Sequence, residues 1–149
     1  MKKFKYRLET LLKVKTQIEK EKQREHAEAL RKTYEQKELL NKIDRRRQDN
    51  LERQRHSLQG AISVVDMLLY TRYLLKLKKE TMAGNELLRG LQRTAEGKRQ
   101  ALVKASREKK IYEKLKERQQ IKYNERVEKS EKKELDEIAT NNYCYKHRK

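Results

Sequence analysis

The feature that most constrains the fold is a single break in a long, highly charged helical pattern. Gly60 lies beside Ser63 and Asp66, and a dense apolar run follows them. Ser63 is a suitable N-cap, because its hydroxyl can accept a hydrogen bond from the free amide three residues on. The negative charge of Asp66 is stabilised by the positive end of the helix dipole. No proline interrupts the chain on either side. The pattern predicts two long helices joined by one turn at residues 57–62.

Heptad repeats predict where the two helices meet. The first helix carries a stripe with steps of four and three residues, typical of a coiled coil: Phe4, Leu8, Leu11, Lys15 and Ile18. It continues less regularly through Ala27, Leu30 and Tyr34, and after a phase slip through Leu40, Ile43, Leu51 and Leu58. The second helix repeats every seven residues in two interleaved series: Tyr70, Leu77, Gly84, Leu91, Lys98, Ala105, Tyr112, and Leu74, Thr81, Leu88, Ala95, Leu102, Lys109. We therefore expect an all-α, antiparallel two-helix coiled-coil hairpin with its turn near Gly60.

The predicted organisation is a coiled coil over residues 1–139 and a flexible tail over residues 140–149. Helix 1 spans about 4–57 and helix 2 about 63–139, as the pattern indicates. Folding at Gly60 places residue 4 beside roughly residue 116, so the long second helix overhangs the N-terminus. The chain is 43% charged and only 34% hydrophobic, too little for a compact core. Disorder until a partner binds is the alternative.

The chain offers no catalytic constellation, so we expect neither enzymatic activity nor a cofactor, a metal site or a small-molecule substrate. Its three histidines are scattered, its glycines are isolated, and Cys144 is its only cysteine. No apolar run is long enough to span a bilayer, and the basic start is not followed by the apolar segment of a secretory signal. These observations predict a cytoplasmic protein.

The net charge of +18 implies an anionic partner: nucleic acid, an acidic membrane surface or an acidic protein. Two basic clusters, Arg45–Arg47 and Lys76–Lys79, are either binding patches or solvated helix faces.

After the turn, Tyr70 and Tyr73 are joined by more apolar residues than a two-stranded coil needs: Leu68, Leu69, Leu74, Leu75 and Leu77. This excess indicates either a thicker core or an interaction surface.

Three segments together resemble the flagellar FliJ family: KFKYRLETLLKVKTQIEKEKQRE, GAISVVDMLLYTRYLLKLKKE and REKKIYEKLKERQQIKYNERVEKSEKKELDEIAT. The resemblance covers nearly the whole chain. It implies an antiparallel two-helix coiled coil similar to the stalk-like gamma subunit of rotary ATP synthases. It also implies a soluble component of the flagellar type III export apparatus, located at the cytoplasmic face of the inner membrane at the flagellar base.

The resemblance implies three partners. The end that bears both termini enters the centre of the hexameric export ATPase, another surface contacts the cytoplasmic domain of the export-gate membrane protein, and the protein escorts export chaperones. Gate-binding positions of the family fall here on Tyr73 and Leu77, with Tyr70 just before them. The late first helix, Arg45–Asn50, does not match the family's gate-binding residues, so those roles are not carried over.

The resemblance implies that the end bearing both termini contacts the ATPase, and antiparallel geometry places residues 1 to about 20 and the chain from about Tyr112 onward at that end. The predicted contact residues are Arg7, Leu8, Leu11, Leu12, Lys15, Tyr112, Leu115 and Arg118. The basic side chains Lys2, Lys3, Lys5, Lys13, Lys114, Lys116 and Lys122 lie in the same two segments and suit an anionic ring lumen. We expect the four leucines to hold the two helices together inside the ring.

One near alternative and two alternatives from other classes of protein stay open. A virulence type III secretion system has a related stalk protein. A basic nucleic-acid-binding coiled coil would explain the charge, but the acidic residues are interleaved with the basic ones, and the aromatic residues do not form stacking platforms. A purely structural coiled coil would not need the wide apolar patch after the turn.

Overall fold

The protein, described here by a computed structural model over residues 4–61 and 63–147, consists of two helices. Helix α1 spans Glu9–Ser57 and helix α2 spans Val64–Lys146, and the described residues include no strand. Side chains of α1 contact side chains of α2 in antiparallel order, for instance Lys15 with Glu108 and Glu25 with Lys98. The predicted all-α, two-helix hairpin is confirmed.

The turn lies where the sequence predicts it, but glycine is not what makes it possible. The amide of Gln59 donates to the carbonyl of His56, and the amide of Gly60 to that of Ser57, so α1 ends in tight i→i+3 bonds. Gly60 does not have a positive φ, and a Cβ added to it would meet no atom within 4 Å. The turn therefore does not depend on the conformational freedom of glycine. Ile62, which belongs to the predicted turn, lies outside the described residues.

Ser63 caps α2, as predicted, but it accepts from an amide one residue nearer than expected. Its hydroxyl accepts a hydrogen bond from the amide of Val65 at 3.2 Å, not from the amide of Asp66. Asp66 lies in the first turn of α2, where a carboxylate favours the helix dipole.

The outer ends of both helices differ from the predicted bounds. Helix α1 begins at Glu9, not at residue 4, and Phe4 stacks at a tilt on Tyr123 with 5.6 Å between ring centroids. Phe4 therefore lies beside a residue further along α2 than the predicted neighbour at about 116, whereas Tyr6 bonds to Tyr112. At the other end α2 continues to Lys146, because nothing after residue 139 breaks it and Thr140 bonds back to the carbonyl of Asp136.

The chain divides into two compact units, Met1–Glu19 with Lys104–Lys149, and Lys20–Val103. We call them the terminal unit and the tip unit. In each of them a part of α1 packs on a part of α2. The predicted division into one coiled coil and a flexible tail from residue 140 stays a prediction, and Arg148 and Lys149 lie outside the described residues.

The face that α2 turns toward α1 follows the predicted heptads. All thirteen predicted positions are buried or half-buried. Leu77 is the most enclosed at 2% exposure, and Ala95 and Ala105 are also buried. Small side chains at two of these positions let the helices approach closely, as expected for a two-helix seam.

The face that α1 turns toward α2 differs from the prediction. Leu30 and Tyr34 are largely exposed, and there is no phase slip. Instead one unbroken series of steps of four and three faces α2: Lys15, Glu19, Lys22, His26, Ala29, Thr33, Gln36, Leu40, Ile43, Arg47, Asn50, Gln54 and Ser57. Apart from Arg47, every member is buried or half-buried. Polar residues can occupy this face because α2 supplies most of the apolar surface and because hydrogen bonds and ion pairs satisfy them.

Candidate functional site

The two-helix architecture directs attention to surfaces rather than to an enclosed pocket. Within residues 4–61 and 63–147, no group of three or more His, Cys, Asp or Glu side chains is placed to hold a metal ion. In the same part of the chain, no helix is long and apolar enough to cross a bilayer. The candidate sites are therefore the terminal surface, which contains the predicted ATPase residues, and the tip surface, which contains Tyr70, Tyr73 and Leu77.

A buried tyrosine anchors the two helices in the terminal unit. Tyr6 is almost fully buried, and its hydroxyl donates a hydrogen bond to the carbonyl of Tyr112 at 3.1 Å. The ammonium of Lys116 lies 6.0 Å from the centre of the Tyr6 ring and 2.7 Å from the carboxylate of Glu9. The tyrosine ring, a cation and a carboxylate thus form one connected cluster across the helix pair.

Ion pairs continue this connection along the terminal unit. Lys15 contacts Glu108 at 2.7 Å, and Lys109 contacts Glu19 at 2.9 Å. The hydrogen bond from Lys109 lowers the pKa of Glu19, and the hydrogen bond from Lys15 lowers the pKa of Glu108. Both carboxylates are therefore charged at neutral pH, which keeps these cross-helix pairs intact.

The predicted ATPase residues fall into two groups. Lys15 and Tyr112 face the other helix, and Leu12 is half-buried. The remaining five are exposed: Arg7, Leu8, Leu11, Leu115 and Arg118. Because Leu8, Leu11 and Leu115 expose more than a third of their surface, they contribute less to holding the helices together than Tyr6 and Ala105, which are buried.

The exposed leucines stand among exposed cations. Lys5, Lys13, Lys114 and Lys122 are exposed, and none of them forms an ion pair among the described residues. Lys2 and Lys3, which the prediction included, lie outside the described residues. The terminal surface thus combines apolar side chains with positive charge that no carboxylate of the described chain neutralises.

The sequence analysis did not identify the residues that hold the two helices together in the terminal unit. Tyr6, Glu19 and Lys109 are buried or half-buried, but only Lys109 was placed in a heptad. Glu19 and Lys109 carry opposite charges, but folding at Gly60 places Glu19 beside roughly residue 101, so the predicted register did not single out this pair. The burial of Tyr6 could have been inferred from the predicted register, because Tyr6 and Tyr112 lie at similar sequence distances from Gly60 on its two sides.

The three residues of the tip surface differ in accessibility. Tyr70 is half-buried; its carbonyl accepts a hydrogen bond from Asn50 at 3.5 Å, and its hydroxyl lies 3.3 Å from that of Ser57. Leu77, at 2% exposure, is enclosed between the helices. Tyr73 is 39% exposed. A partner that docks on the paired helices can therefore contact Tyr73 directly, whereas Leu77 can act only by supporting the surface from beneath.

The wide apolar patch after the turn is only partly core. Leu77 is buried and Leu74 is half-buried, but Leu68, Leu69 and Leu75 are between 53% and 58% exposed. The neighbouring Val64 and Val65 are also exposed. Arg45–Arg47 and the lysines at 76, 78 and 79 are exposed as well. Contiguous exposed apolar side chains typically mark an interaction site, which favours that alternative over the thicker core.

Comparison with known proteins adds one finding. The family model described as flagellar FliJ protein matches residues 4–148. No curated protein and no solved structure matches the chain significantly.

Proposed function

This chain belongs to the FliJ family and is therefore a component of the flagellar export apparatus, and we propose that it works there as a stalk between the export ATPase and the export gate. The family is one of non-enzymatic structural and escort proteins. The observation that carries the proposal is the match over residues 4–148, nearly the whole chain. Because the matching family is flagellar, it favours flagellar export over a virulence secretion system.

We assign the ATPase contact to the terminal surface. Cross-helix ion pairs and the Tyr6–Tyr112 hydrogen bond support a stiff helix pair, on which Leu8, Leu11 and Leu115 are exposed for contact. The unpaired cations around them suit the lumen of an anionic ring, because opposite charges accelerate encounter and make it dependent on salt. Arg7, Leu12 and Arg118 complete the contact, and Lys15 and Tyr112 position it from the seam.

The test measures how the full chain changes the hydrolysis rate of the export ATPase. The double variant Leu8→Gln/Leu115→Gln removes two partly exposed apolar contacts. We expect it to reduce stimulation about tenfold, since fully burying a leucine contributes roughly 1.5–3 kcal/mol and about a third of each side chain is left for the ring to cover. Leu39→Gln is the matched control, because Leu39 is an exposed leucine of the tip unit. Stimulation by the wild type should fall as salt rises. Equal loss in both variants, or none in the double variant, would contradict this assignment.

We assign the gate contact to the tip surface, with Tyr73 in direct contact and Tyr70 and Leu77 positioning it. Tyrosine is enriched at protein interfaces because one end is apolar and the other can form a hydrogen bond. Tyr73→Ala should weaken binding to the cytoplasmic domain of the export gate, by about tenfold or more if Tyr73 is a binding hot spot.

Tyr34→Ala provides the matched control for the gate assay, because Tyr34 is a tyrosine of the tip unit that is 65% exposed. Calorimetric titration with the gate domain gives the affinity of each variant, and the ATPase assay should not distinguish them. If Tyr73→Ala and Tyr34→Ala bind the gate equally well, the gate contact lies elsewhere.

Two finer features of the proposal rest on the family alone. They are the escort of export chaperones and a location at the cytoplasmic face of the inner membrane, at the flagellar base. Pull-down of the full chain with purified export chaperones tests the first, and fractionation of motile cells tests the second. If the chain pulls down no chaperone and is absent from the membrane fraction, its function is restricted to the ATPase and gate contacts.

A further inference from the structure

One face of α2 just after the turn carries alternating apolar and basic side chains. We call it the outer stripe; its members follow each other at steps of three or four residues: Val64, Leu68, Arg72, Leu75, Lys79 and Met82. Such spacing places them on one side of the helix. All six are exposed. At 100° per residue, Leu75 points away from the side on which Leu77 is buried against α1, so the described part of the tip unit leaves the stripe uncovered.

The cations of the outer stripe have no counterion within the described chain. Arg72, Lys79 and the neighbouring Lys76 take part in none of the ion pairs that the structure describes, whereas seam lysines such as Lys98 contact a glutamate. Asp66 and Glu80 are the acidic residues between 63 and 82, and neither occupies a stripe position. The stripe therefore presents positive charge and aliphatic surface together.

The chemistry of the outer stripe fits a lipid surface better than a protein. Protein interfaces are depleted in lysine and enriched in aromatic side chains, whereas the stripe includes a lysine and no aromatic residue. An anionic bilayer attracts lysine and arginine to its phosphates while leucine and valine enter the boundary between headgroups and acyl chains. The long aliphatic stems of Arg72 and Lys79 can lie along that boundary with their charged ends at the phosphates.

We propose that the outer stripe docks the tip unit on the surface of an anionic phospholipid bilayer. Val64, Leu68 and Leu75 enter the headgroup region. Arg72, Lys76 and Lys79 contact the lipid phosphates. The proposal is independent of the gate contact, because Tyr73 is not a stripe residue and its side chain lies about 160° from that of Leu75 around the helix.

The experiment measures flotation of the full chain with unilamellar vesicles, either phosphatidylglycerol and phosphatidylcholine in equal parts or phosphatidylcholine alone. We expect binding to the anionic vesicles and little binding to the neutral ones. Lys76→Gln/Lys79→Gln should lower the partition coefficient about tenfold or more, given the attraction of each basic residue to an anionic leaflet. Leu68→Gln/Leu75→Gln should lower it by a similar factor, because aliphatic insertion contributes as well.

Arg45→Gln/Arg46→Gln is the matched control, because it removes the same two positive charges from an exposed part of α1 in the same unit. We expect less than about a twofold loss, since these arginines are not on the stripe. All substituted positions are exposed and glutamine is a good helix former, so far-ultraviolet circular dichroism should match the wild type.

Three outcomes would overturn the proposal. Equal losses in the lysine and arginine variants would show adsorption by net charge without a site. Unchanged binding by the leucine variant would exclude insertion. Unchanged vesicle binding by both stripe variants, together with weaker binding to the export-gate domain, would identify the occupant as an acidic protein.

Discussion

The two halves of α1 meet α2 by different chemistry. From Lys15 to Glu25, in what we call the charged section, cross-helix contacts are ion pairs such as Lys15–Glu108 and Lys98–Glu25, both at 2.7 Å. From Ala29 to Ser57, the neutral section, they are hydrogen bonds between uncharged groups, among them amide side chains that donate to main-chain carbonyls, and Leu77 is enclosed between the helices. Partly exposed ion pairs contribute little and depend on pH and salt, whereas buried apolar packing does not. The neutral section should therefore carry most of the stability, and the charged section its response to solution conditions.

The largest effect should come from truncating the enclosed leucine of the neutral section. Leu77→Ala removes a side chain that is 2% exposed, so we expect the free energy of unfolding to fall by about 3 kcal/mol. Leu75→Ala, on the exposed side of the same helix, should change it by less than about 0.5 kcal/mol. Urea unfolding followed by circular dichroism measures both. Similar losses in the two variants would mean that Leu77 is not the packing centre of this section.

The second effect concerns a close approach of the helices at Gly84, in the neutral section. A Cβ on Gly84 would lie 2.7 Å from Cδ2 of Leu40 and 3.1 Å from Nε2 of Gln36, whose amide donates to the Gly84 carbonyl. Gly84→Leu should therefore destabilise the protein by about 2 kcal/mol through overpacking. Gly90 has nothing within 4 Å, so Gly90→Leu should stabilise by roughly 0.5–1 kcal/mol through helix propensity. Thermal melting shows whether each variant is more or less stable than the wild type. Stabilisation by Gly84→Leu would show that the helices can separate there without cost.

The same contrast explains what could be predicted from the sequence. On α2, apolar residues repeat every seven positions, so hydrophobic periodicity found the seam. On α1, the heptad positions hold residues such as Glu19, Thr33, Gln36 and Asn50, which periodicity counts as surface. The prediction followed exposed Leu30 and Tyr34 instead and introduced a phase slip that the structure does not have. Polar seam residues are recognisable only through their partners, which a single helix does not display.

The location of the two candidate surfaces could be predicted from the sequence, but not which of their side chains are exposed. Tyr73 and the leucines around it stood out as excess apolar residues, but their exposure depends on which side of α2 faces α1. That Leu77 is enclosed while Leu75 is exposed follows from the pairing of the two helices, and the composition of one segment cannot decide it. The terminal surface was located by antiparallel geometry, whereas its anchor, Tyr6, lies before the first helical residue and outside any heptad.

A smaller effect concerns Tyr6, which joins the two helices by a neutral hydrogen bond at the terminal end of the charged section. Tyr6→Phe removes only the hydroxyl that donates to the Tyr112 carbonyl, so we expect a loss of about 1 kcal/mol in the free energy of unfolding. Tyr34→Phe removes a hydroxyl from a tyrosine that is largely exposed and should change little. Hydrogen exchange should place the weakened amides within Met1–Glu19 and Lys104–Lys149. Weakening confined to the tip unit would contradict the anchoring role of Tyr6.

The smallest effect is the pH response of the charged section. Glu25 accepts hydrogen bonds from Lys22 at 2.8 Å and from Lys98 at 2.7 Å, which lower its pKa from 4.5 to about 2. A carboxylate whose pKa is lower in the folded protein contributes its stabilisation in full above the unfolded value and loses it as pH falls through the folded value. The melting temperature of the wild type should therefore drop between about pH 5 and pH 2. Glu25→Gln should lower it at neutral pH and reduce this drop.

The matched control for the pH response is Glu52→Gln, which removes the same charge from an exposed carboxylate of the neutral section that forms no ion pair among the described residues. It should leave both the neutral-pH melting temperature and the acid drop close to those of the wild type. If Glu25→Gln keeps the full drop while Leu77→Ala still destabilises strongly, then the ion pairs of the charged section fix only the register of the helices. Their contribution to stability would then be negligible at any pH, as it is for many partly exposed pairs.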